Sequence, residues 1–420
     1  MATPGDDGGA RRLLLLTAGT RGDVEPFVAL AREAARRGHS VVLAATASMT
    51  AGLEHQPFEV VVLDGDLGAL VAAQGVSPSR ALRSWRSTVH PALRALLASA
   101  VRAALDVRPD VVVAHPKVLS APLAASLLDV PHVVVETVPT LTPTGDFPAA
   151  GVAAGDLGRR LNRLTYRATA GAAAALGPDL RRLAAAHGVP GRAPLPPPAA
   201  VLCPVSPVLV PPPSDWPSTA RVTGAWHETA GAPPDADVED FLARAEDEGA
   251  AVVVAGFGSM ATGVAAARAR SLAVVTAARA VDARLLLVTG WGGLDADAAR
   301  GAAGTGDDVL VVPSVPHASV LPRADVVVHH GGAGTVHAVA RAGAVSVVVP
   351  FVADQPWWAA RLHRRGLSPA PLPARRLTAD GLAHRLETAP EHRRAARAAA
   401  GAMSGEDGTA VAVDVLEGLA

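Results

Sequence analysis

The stretch Asp325-Val-Val-Val-His-His-Gly-Gly-Ala-Gly-Thr335, continuing through Val336–Ala342 to Val345-Ser-Val-Val-Val349-Pro350, decides the fold. A run of valines breaks off into glycines, a helical segment follows, and a second apolar run ends at a proline. Short runs with no polar alternation suit strands covered on both faces, and a helical segment between two such runs is a crossover. Strand, glycine turn, helix and strand in that order make one βαβ unit of a parallel sheet.

The same alternation extends in both directions. Downstream of residue 220 the apolar runs are Val252–Ala255, Leu285–Val288, Val309–Val312, Val326–Val328 and Val345–Val349. Upstream they are Leu13–Ala18, Val41–Ala45, Val60–Leu63, Val111–Ala114 and Val133–Val135. Between the two sets, Ala193–Ser218 is crowded with proline, including Pro196–Pro198 and Pro211–Pro213. Proline at that density disfavours regular structure and marks a connector. The reading is an α/β chain of two doubly wound parallel-sheet domains facing a cleft. The first spans residues 1–205, a proline-rich linker 206–220, the second 221–400, and a C-terminal helix at 401–420 can pack back on the first. A chain of 420 residues is long enough for two or three domains.

Composition narrows the function classes. Lys and Arg number 38 and Asp and Glu 39, for a net charge of -1, so nothing points to nucleic acid. Cys203 is the only cysteine, which fits a reducing compartment. No Cys/His cluster has zinc spacing, so no metal is expected. Leu13–Leu16 is too short for a signal sequence, and no run approaches a membrane span. The expectation is a cytoplasmic protein, monomer or homodimer.

Doubly wound sheets carry their sites at the carboxyl ends of their strands, and four motifs stand there. His329-His330-Gly331-Gly332-Ala333-Gly334-Thr335 brings glycines, a histidine donor and a helix N-terminus together, a cradle for a diphosphate without a P-loop lysine. A glycine-rich turn without a ligand is the plainer alternative. Asp354 and Gln355, in Pro350–Pro356, can grip sugar hydroxyls, or Asp354 can simply cap the next helix. Asp23, in Thr17–Pro26, can take a proton from a hydroxyl, or serve as a cap or as a partner of Arg21. The loop carries no G-x-G-x-x-G, which argues against a dinucleotide oxidoreductase. In Gly256–Met260, Ser259 can meet a phosphate, or the segment is a tight turn. His90, His115 and His132 read as surface or core residues without identifiable partners, and Lys117 as a solvated lysine.

Taken together these segments resemble a known family, the inverting glycosyltransferases of GT-B fold in the UDP-glycosyltransferase family (GT1). The likeness is to the bacterial branch near sterol glucosyltransferases and glycopeptide-antibiotic glycosyltransferases. It is carried by GTRGDVEPFVALA (Gly19–Ala31), TPTGDFP (Thr142–Pro148), VTGAW (Val222–Trp226), GFGSM (Gly256–Met260), TGWGGL (Thr289–Leu294), VPHASVLPRADVVVHHGGAGT (Val315–Thr335) and PFVADQPWWAARL (Pro350–Leu362). The resemblance implies a Rossmann-like acceptor domain followed by a nucleotide-sugar donor domain. It places Asp23 as base, and His330, Gly332, Gly334, Thr335 and Ser259 on the diphosphate. Val315 and His317 fall beside base and ribose, Trp291 on the donor side, and Asp354 and Gln355 on the sugar.

The expected reaction moves a hexose or deoxyhexose from a UDP- or dTDP-sugar to a hydroxyl of a small acceptor, without a metal or other cofactor. Two rivals share the architecture: a nucleotide-sugar epimerase, and a non-catalytic auxiliary of another glycosyltransferase.

Overall fold

The computed structural model describes residues 9–66, 84–190, 195–227, 232–258, 260, 263–290 and 293–419. The first sheet comprises β1 (Arg12–Leu16), β2 (Ser40–Thr46), β3 (Glu59–Leu63), β4 (Val111–Ala114), β5 (His132–Val135), β6 (Ala200–Cys203) and β7 (Ala220–Val222), in the order β3-β2-β1-β4-β5-β6-β7. Every pairing in it is parallel. The second comprises β8 (Val252–Gly256), β9 (Arg284–Val288), β10 (Val309–Val312), β11 (Val326–His329) and β12 (Val345–Val348), ordered β10-β9-β8-β11-β12 and again all parallel. Both orders reverse beside their first strand, between β1 and β4 and between β8 and β11. Those are the switch points at which a crevice opens.

The helices used below are α1 (Arg21–Arg36), α2 (His90–Val107), α3 (Ala121–Leu128), α4 (Arg159–Ala174), α5 (Gly177–Ala186), α6 (Ala236–Glu248), α7 (Val264–Ala280), α8 (Ala296–Ala303), α9 (Ala333–Ala342), α10 (Gln355–Arg364), α11 (Ala379–Thr388), α12 (Arg393–Met403) and α13 (Gly408–Glu417). They cover both sheet faces, which is why the strands carry no polar alternation. Leu13 and Leu15 pack with α1 and α13, whereas Leu14 and Leu16 pack with α2 and α3.

All ten apolar runs are strands. The proline-crowded stretch is not structureless, however: β6 lies inside it. Ala200–Cys203 contains no proline, and it joins the sheet by pairing with β5. The β7 strand, Ala220–Val222, forms the edge of the first sheet. Helix α13 returns to the first sheet, where Ala412, Val413 and Leu416 are buried with α1. Arg37 reaches Asp414 at 2.5 Å and Glu417 at 3.1 Å across that contact.

A separate buried cluster joins the domains. Phe147, Val205, Leu209 and Val210 from the first half meet Val336, Trp357, Trp358 and Leu362 from the second. Trp357 is 1% exposed and edge-on to Phe147 with ring centroids 5.5 Å apart. Its Nε1 donates to the Pro148 carbonyl at 3.0 Å. Arg361 lies over both rings, at 4.8 and 4.4 Å. The linker is also bonded into place, since the Ser206 N–H donates to His337 Nε2 at 3.0 Å.

Removing the Trp357 indole leaves a cavity and an unmet carbonyl at this seam. Trp357→Ala should therefore cost about 3–5 kcal/mol, whereas Trp357→Phe, which keeps most of the volume, should cost about 1–3 kcal/mol. Urea titration of the three proteins measures this, and an unchanged midpoint for the alanine variant would show that the seam does not hold the domains together.

Candidate active site

The first switch point places Asp23. β1 ends at Leu16, and the chain turns through Gly19 and Thr20 into α1. Asp23 stands in the first turn of α1, where its carboxylate Oδ2 accepts from the Thr20 N–H at 2.7 Å and the Thr20 hydroxyl at 3.0 Å. It thus completes a capping box. The N-cap itself is Thr20, so Asp23 is the N3 partner of the cap and not an N-cap, and Arg21 pairs with Glu25 at 3.0 Å.

The partners of Asp23 come from the other side of the switch point. β4 runs beside β1 with Leu16 level with Ala114, and the His115 N–H donates to the Leu16 carbonyl at 2.8 Å. His115 Nε2 then lies 3.2 Å from Asp23 Oδ1, and Lys117 Nζ donates to Oδ2 at 2.6 Å. His115 and Lys117 are corrections to the sequence reading, which gave them no partner. The available signal was that both directly follow β4. Of the remaining histidines, His90 pairs with Asp179 at 2.8 Å and His132 is a buried strand residue. Burial alone would raise the Asp23 carboxyl, but the Lys117 charge and the His115 hydrogen bond outweigh it and hold it well below the usual range.

The second switch point builds the opposing wall. β8 and β11 end level, with His329 beside Gly256. Gly258 (φ +57°) lies against His330, where a Cβ would come within 3.1 Å of the ring. Gly332 is as tight, since a Cβ there would sit 2.5 Å from His330 Nε2. Gly331 (φ +90°) is excluded from bearing a side chain by both its conformation and Val348. Gly334 differs: a Cβ would meet nothing, so no protein contact requires a glycine there. Helix α9 starts after Gly332 with no side-chain cap on its first turn, where Thr335 is half-buried. His330 Nδ1 is buried without a partner among the described residues. Burial, with the nearby His317 acting the same way, lowers the His330 pKa to about 4, so its ring is neutral at neutral pH.

The third segment is Phe351–Gln355. Ala353 holds φ +56°, unusual without glycine, and it turns Asp354 to the start of α10. Asp354 occupies the N-cap position, but its carboxylate caps no backbone N–H of the helix. Burial, with the charge of Asp23 adding to it, raises its pKa to about 6. That coupling joins the two walls, and the backbone agrees: a Cβ on Gly151 of the first domain would stand 3.7 Å from Ala353.

Gln355 is 4% exposed, and its Oε1 accepts from the N–H groups of Phe351 at 2.8 Å and Val352 at 3.2 Å. Its amide nitrogen points at the Met260 sulfur, 3.2 Å away. Gln355 therefore braces the loop that carries Asp354. Val315 is half-buried after β10, and His317 is exposed at the start of the helical turn His317–Val320. Ser259 and Trp291 lie outside the described residues. No three His, Cys, Asp or Glu side chains cluster around a possible metal position among the described residues, and no described helix is long and apolar enough to cross a membrane.

Known proteins resemble this chain in sequence and fold. Residues 13–139 match the Glycosyltransferase family 28 N-terminal domain, and residues 273–417 match the Erythromycin biosynthesis protein CIII-like, C-terminal domain. The chain is 36% identical over 403 residues to the O-mycaminosyltylonolide 6-deoxyallosyltransferase of Streptomyces fradiae, covering 90% of this chain and 89% of that protein. It is 30% identical over 434 residues to a sterol 3-beta-glucosyltransferase of Arabidopsis thaliana, covering 96% of this chain and 64% of that protein. Among solved structures, the calicheamicin glycosyltransferase CalG4 has a TM-score of 0.69 at 20% identity, covering 97% of this chain and 98% of its own. The glycosyltransferase VinC, crystallised with dTDP, has a TM-score of 0.65 at 21% identity, covering 96% and 98%. The chain belongs to the UDP-glycosyltransferase family (GT1) and is a glycosyltransferase of GT-B fold.

Proposed function

We propose that this glycosyltransferase moves a hexose or deoxyhexose from a UDP- or dTDP-sugar to a hydroxyl of a small natural-product, sterol-like or lipid acceptor, by one displacement with Asp23 as base. The observation that carries this reading is that the loop of Ala353 and Asp354, beside the His330 loop, packs against Gly151 of the first domain, near enough to Asp23 for its charge to act on Asp354. A 6-deoxyallosyltransferase among the relatives and a dTDP complex among the structural neighbours support a deoxyhexose carried on dTDP.

In this scheme the acceptor oxygen attacks the anomeric carbon from the Asp23 side. Its proton passes to Asp23 Oδ1, and the bond to the diphosphate breaks with its electron pair on the leaving group. Attack opposite the leaving group inverts the anomeric centre. The first-turn N–H groups of α9 and an N–H of His330 meet the growing charge. Open space at Gly334 lets the diphosphate approach the backbone. His330 is neutral, so it supplies a dipole, and no divalent cation is needed in the scheme.

Asp23→Asn should lower transfer by about 10²–10⁴-fold and leave nucleotide-sugar affinity unchanged, because the diphosphate groups lie in the other domain. Steady-state kinetics and calorimetry separate the two effects. Near-normal turnover would remove Asp23 from the base role, and donor turnover without acceptor would favour the epimerase.

His330→Ala should weaken both nucleotide-sugar and free nucleotide diphosphate, since both present the same anion. EDTA should leave the wild-type rate unchanged. Loss of activity on chelation, restored by magnesium or manganese, would contradict the scheme.

Asp354→Ala should weaken nucleotide-sugar by about 1–3 kcal/mol while sparing free nucleotide diphosphate. The Asp354 carboxylate accepts more strongly from the sugar when ionised. As the pH falls through about 6, the wild-type preference for nucleotide-sugar over nucleotide diphosphate should narrow, whereas Asp354→Asn should show no such step. Calorimetry across that range measures the gap, and a pH-independent gap would assign Asp354 a structural role.

A further inference from the structure

We propose that Lys117 is a positioning residue for the transfer step, anchoring Asp23 Oδ2 so that Oδ1 is the oxygen turned to the acceptor hydroxyl. The inference rests on the reading of Asp23 as the base.

The two carboxylate oxygens are unequally engaged. Oδ2 accepts from Lys117 Nζ at 2.6 Å, from the Thr20 N–H at 2.7 Å and from the Thr20 hydroxyl at 3.0 Å. Oδ1 faces His115 Nε2, 3.2 Å away. An oxygen with three donors has little capacity left for a fourth, so an incoming hydroxyl is directed to Oδ1. Lys117 also acts through its backbone: its N–H donates to His115 Nδ1 at 3.2 Å. Nδ1 is therefore the acceptor nitrogen, and Nε2 carries the proton, placed between Asp23 Oδ1 at 3.2 Å and the Thr137 hydroxyl at 3.3 Å. One residue thus orders both sides of the carboxylate.

The pair also dictates its surroundings. Gly19 holds φ +133°, and a Cβ there would lie 2.2 Å from Asp23 Oδ2 and 2.7 Å from Lys117 Nζ. The Asp23–Lys117 contact fits only over a glycine.

A functional consequence follows from the charges around Asp23. Those facing it are Lys117, His115 and, across the cleft, Asp354. Burial and Asp354 oppose its negative charge, and Lys117 is the largest influence in its favour. Lys117 therefore favours the ionised form of Asp23, at the expense of basicity. The acceptor proton then transfers late, once the new C–O bond is well advanced.

The test replaces Lys117 by Met and by Arg and follows Asp23 directly. Protein labelled with ¹³C at aspartate Cγ is titrated by NMR, with Asp23→Asn assigning the resonance. Lys117→Met should move the Asp23 midpoint up by about 1–3 pH units, the usual effect of losing a neighbouring opposite charge. Lys117→Arg should stay near wild type. Acetylating Lys117, the only lysine in the chain, in folded wild-type protein should reproduce the Met shift without a substitution. With dTDP-glucose and a macrolide aglycone, the acid limb of kcat/KM for Lys117→Met should rise with the midpoint, while donor affinity holds. An unmoved Asp23 midpoint, or an equal loss of rate at every pH, would overturn the role of Lys117. Full activity in Asp23→Asn would instead overturn the base reading, and the NMR titration would still report on the ion pair.

Discussion

The indole of Trp357 stands between the two domains, and the position of the catalytic cleft depends on it. Trp357 lies three residues after Asp354, at the start of the same helix. Its Nε1 is fixed to the Pro148 carbonyl of the opposite domain. The loop that supplies Pro148 is anchored in turn by Glu136 at the end of β5, whose buried carboxylate accepts from the N–H groups of Thr140, Leu141 and Thr142 at 3.0, 3.0 and 2.9 Å. A chain of fixed contacts therefore runs from the first sheet through this loop to α10, and it determines how far Asp354 stands from Asp23. Both switch points could be perfectly formed in isolated domains without making a site. The seam makes them face each other.

Given that juxtaposition, the two cleft carboxylates are driven in opposite directions by their surroundings. Asp23 has a lysine and an N–H-bearing histidine, so it remains ionised despite burial. At Asp354 desolvation is the largest influence, and with the charge of Asp23 it outweighs the nearby donors and the more distant Lys117, so its pKa rises to about 6. A carboxylate already saturated with donors suits a proton taken late. One that burial has stripped of water would gain from ligand hydroxyls. The difference suits the proposed scheme, in which the first domain takes the proton and the second holds the sugar. His330 follows the second pattern: its neutral ring has a buried nitrogen without a partner among the described residues, which suits the proposed anion.

What the sequence made legible was whatever is local along the chain. The buried strands announced themselves as unbroken apolar runs because helices cover both faces. The His330 and Asp354 segments announced themselves because each follows its own strand directly. β6 was hidden because its four residues are flanked by prolines, and its strand character comes from pairing with β5, more than sixty residues earlier. His115 and Lys117 were hidden for the same kind of reason. Among the described residues their one local side-chain contact is with each other, and the strand order that sets β4 beside β1 creates the contact with Asp23. Gln355 was legible as a polar residue beside Asp354. Its occupation by the Phe351 and Val352 N–H groups was not, because that depends on how the loop closes.

The chain passes between the domains twice, once at the linker and once before α13, and the two passages touch. Gly224 holds φ +97°, and a Cβ on it would lie 3.2 Å from Gly408 Cα. A Cβ on Gly408 would stand 2.4 Å from the Gly224 carbonyl. Only two glycines allow backbones to approach so closely. Glu406 beside this crossing accepts from the Ser206 hydroxyl at 2.7 Å, which links the second passage to the first. With α13 held on α1 by Arg37, neither passage is free to swing independently. Any rotation of one sheet against the other must turn the backbone at this crossing while the Trp357 seam slides. The cleft is thus constrained at two places, and the carboxylates it brings together can change their separation only as far as both allow.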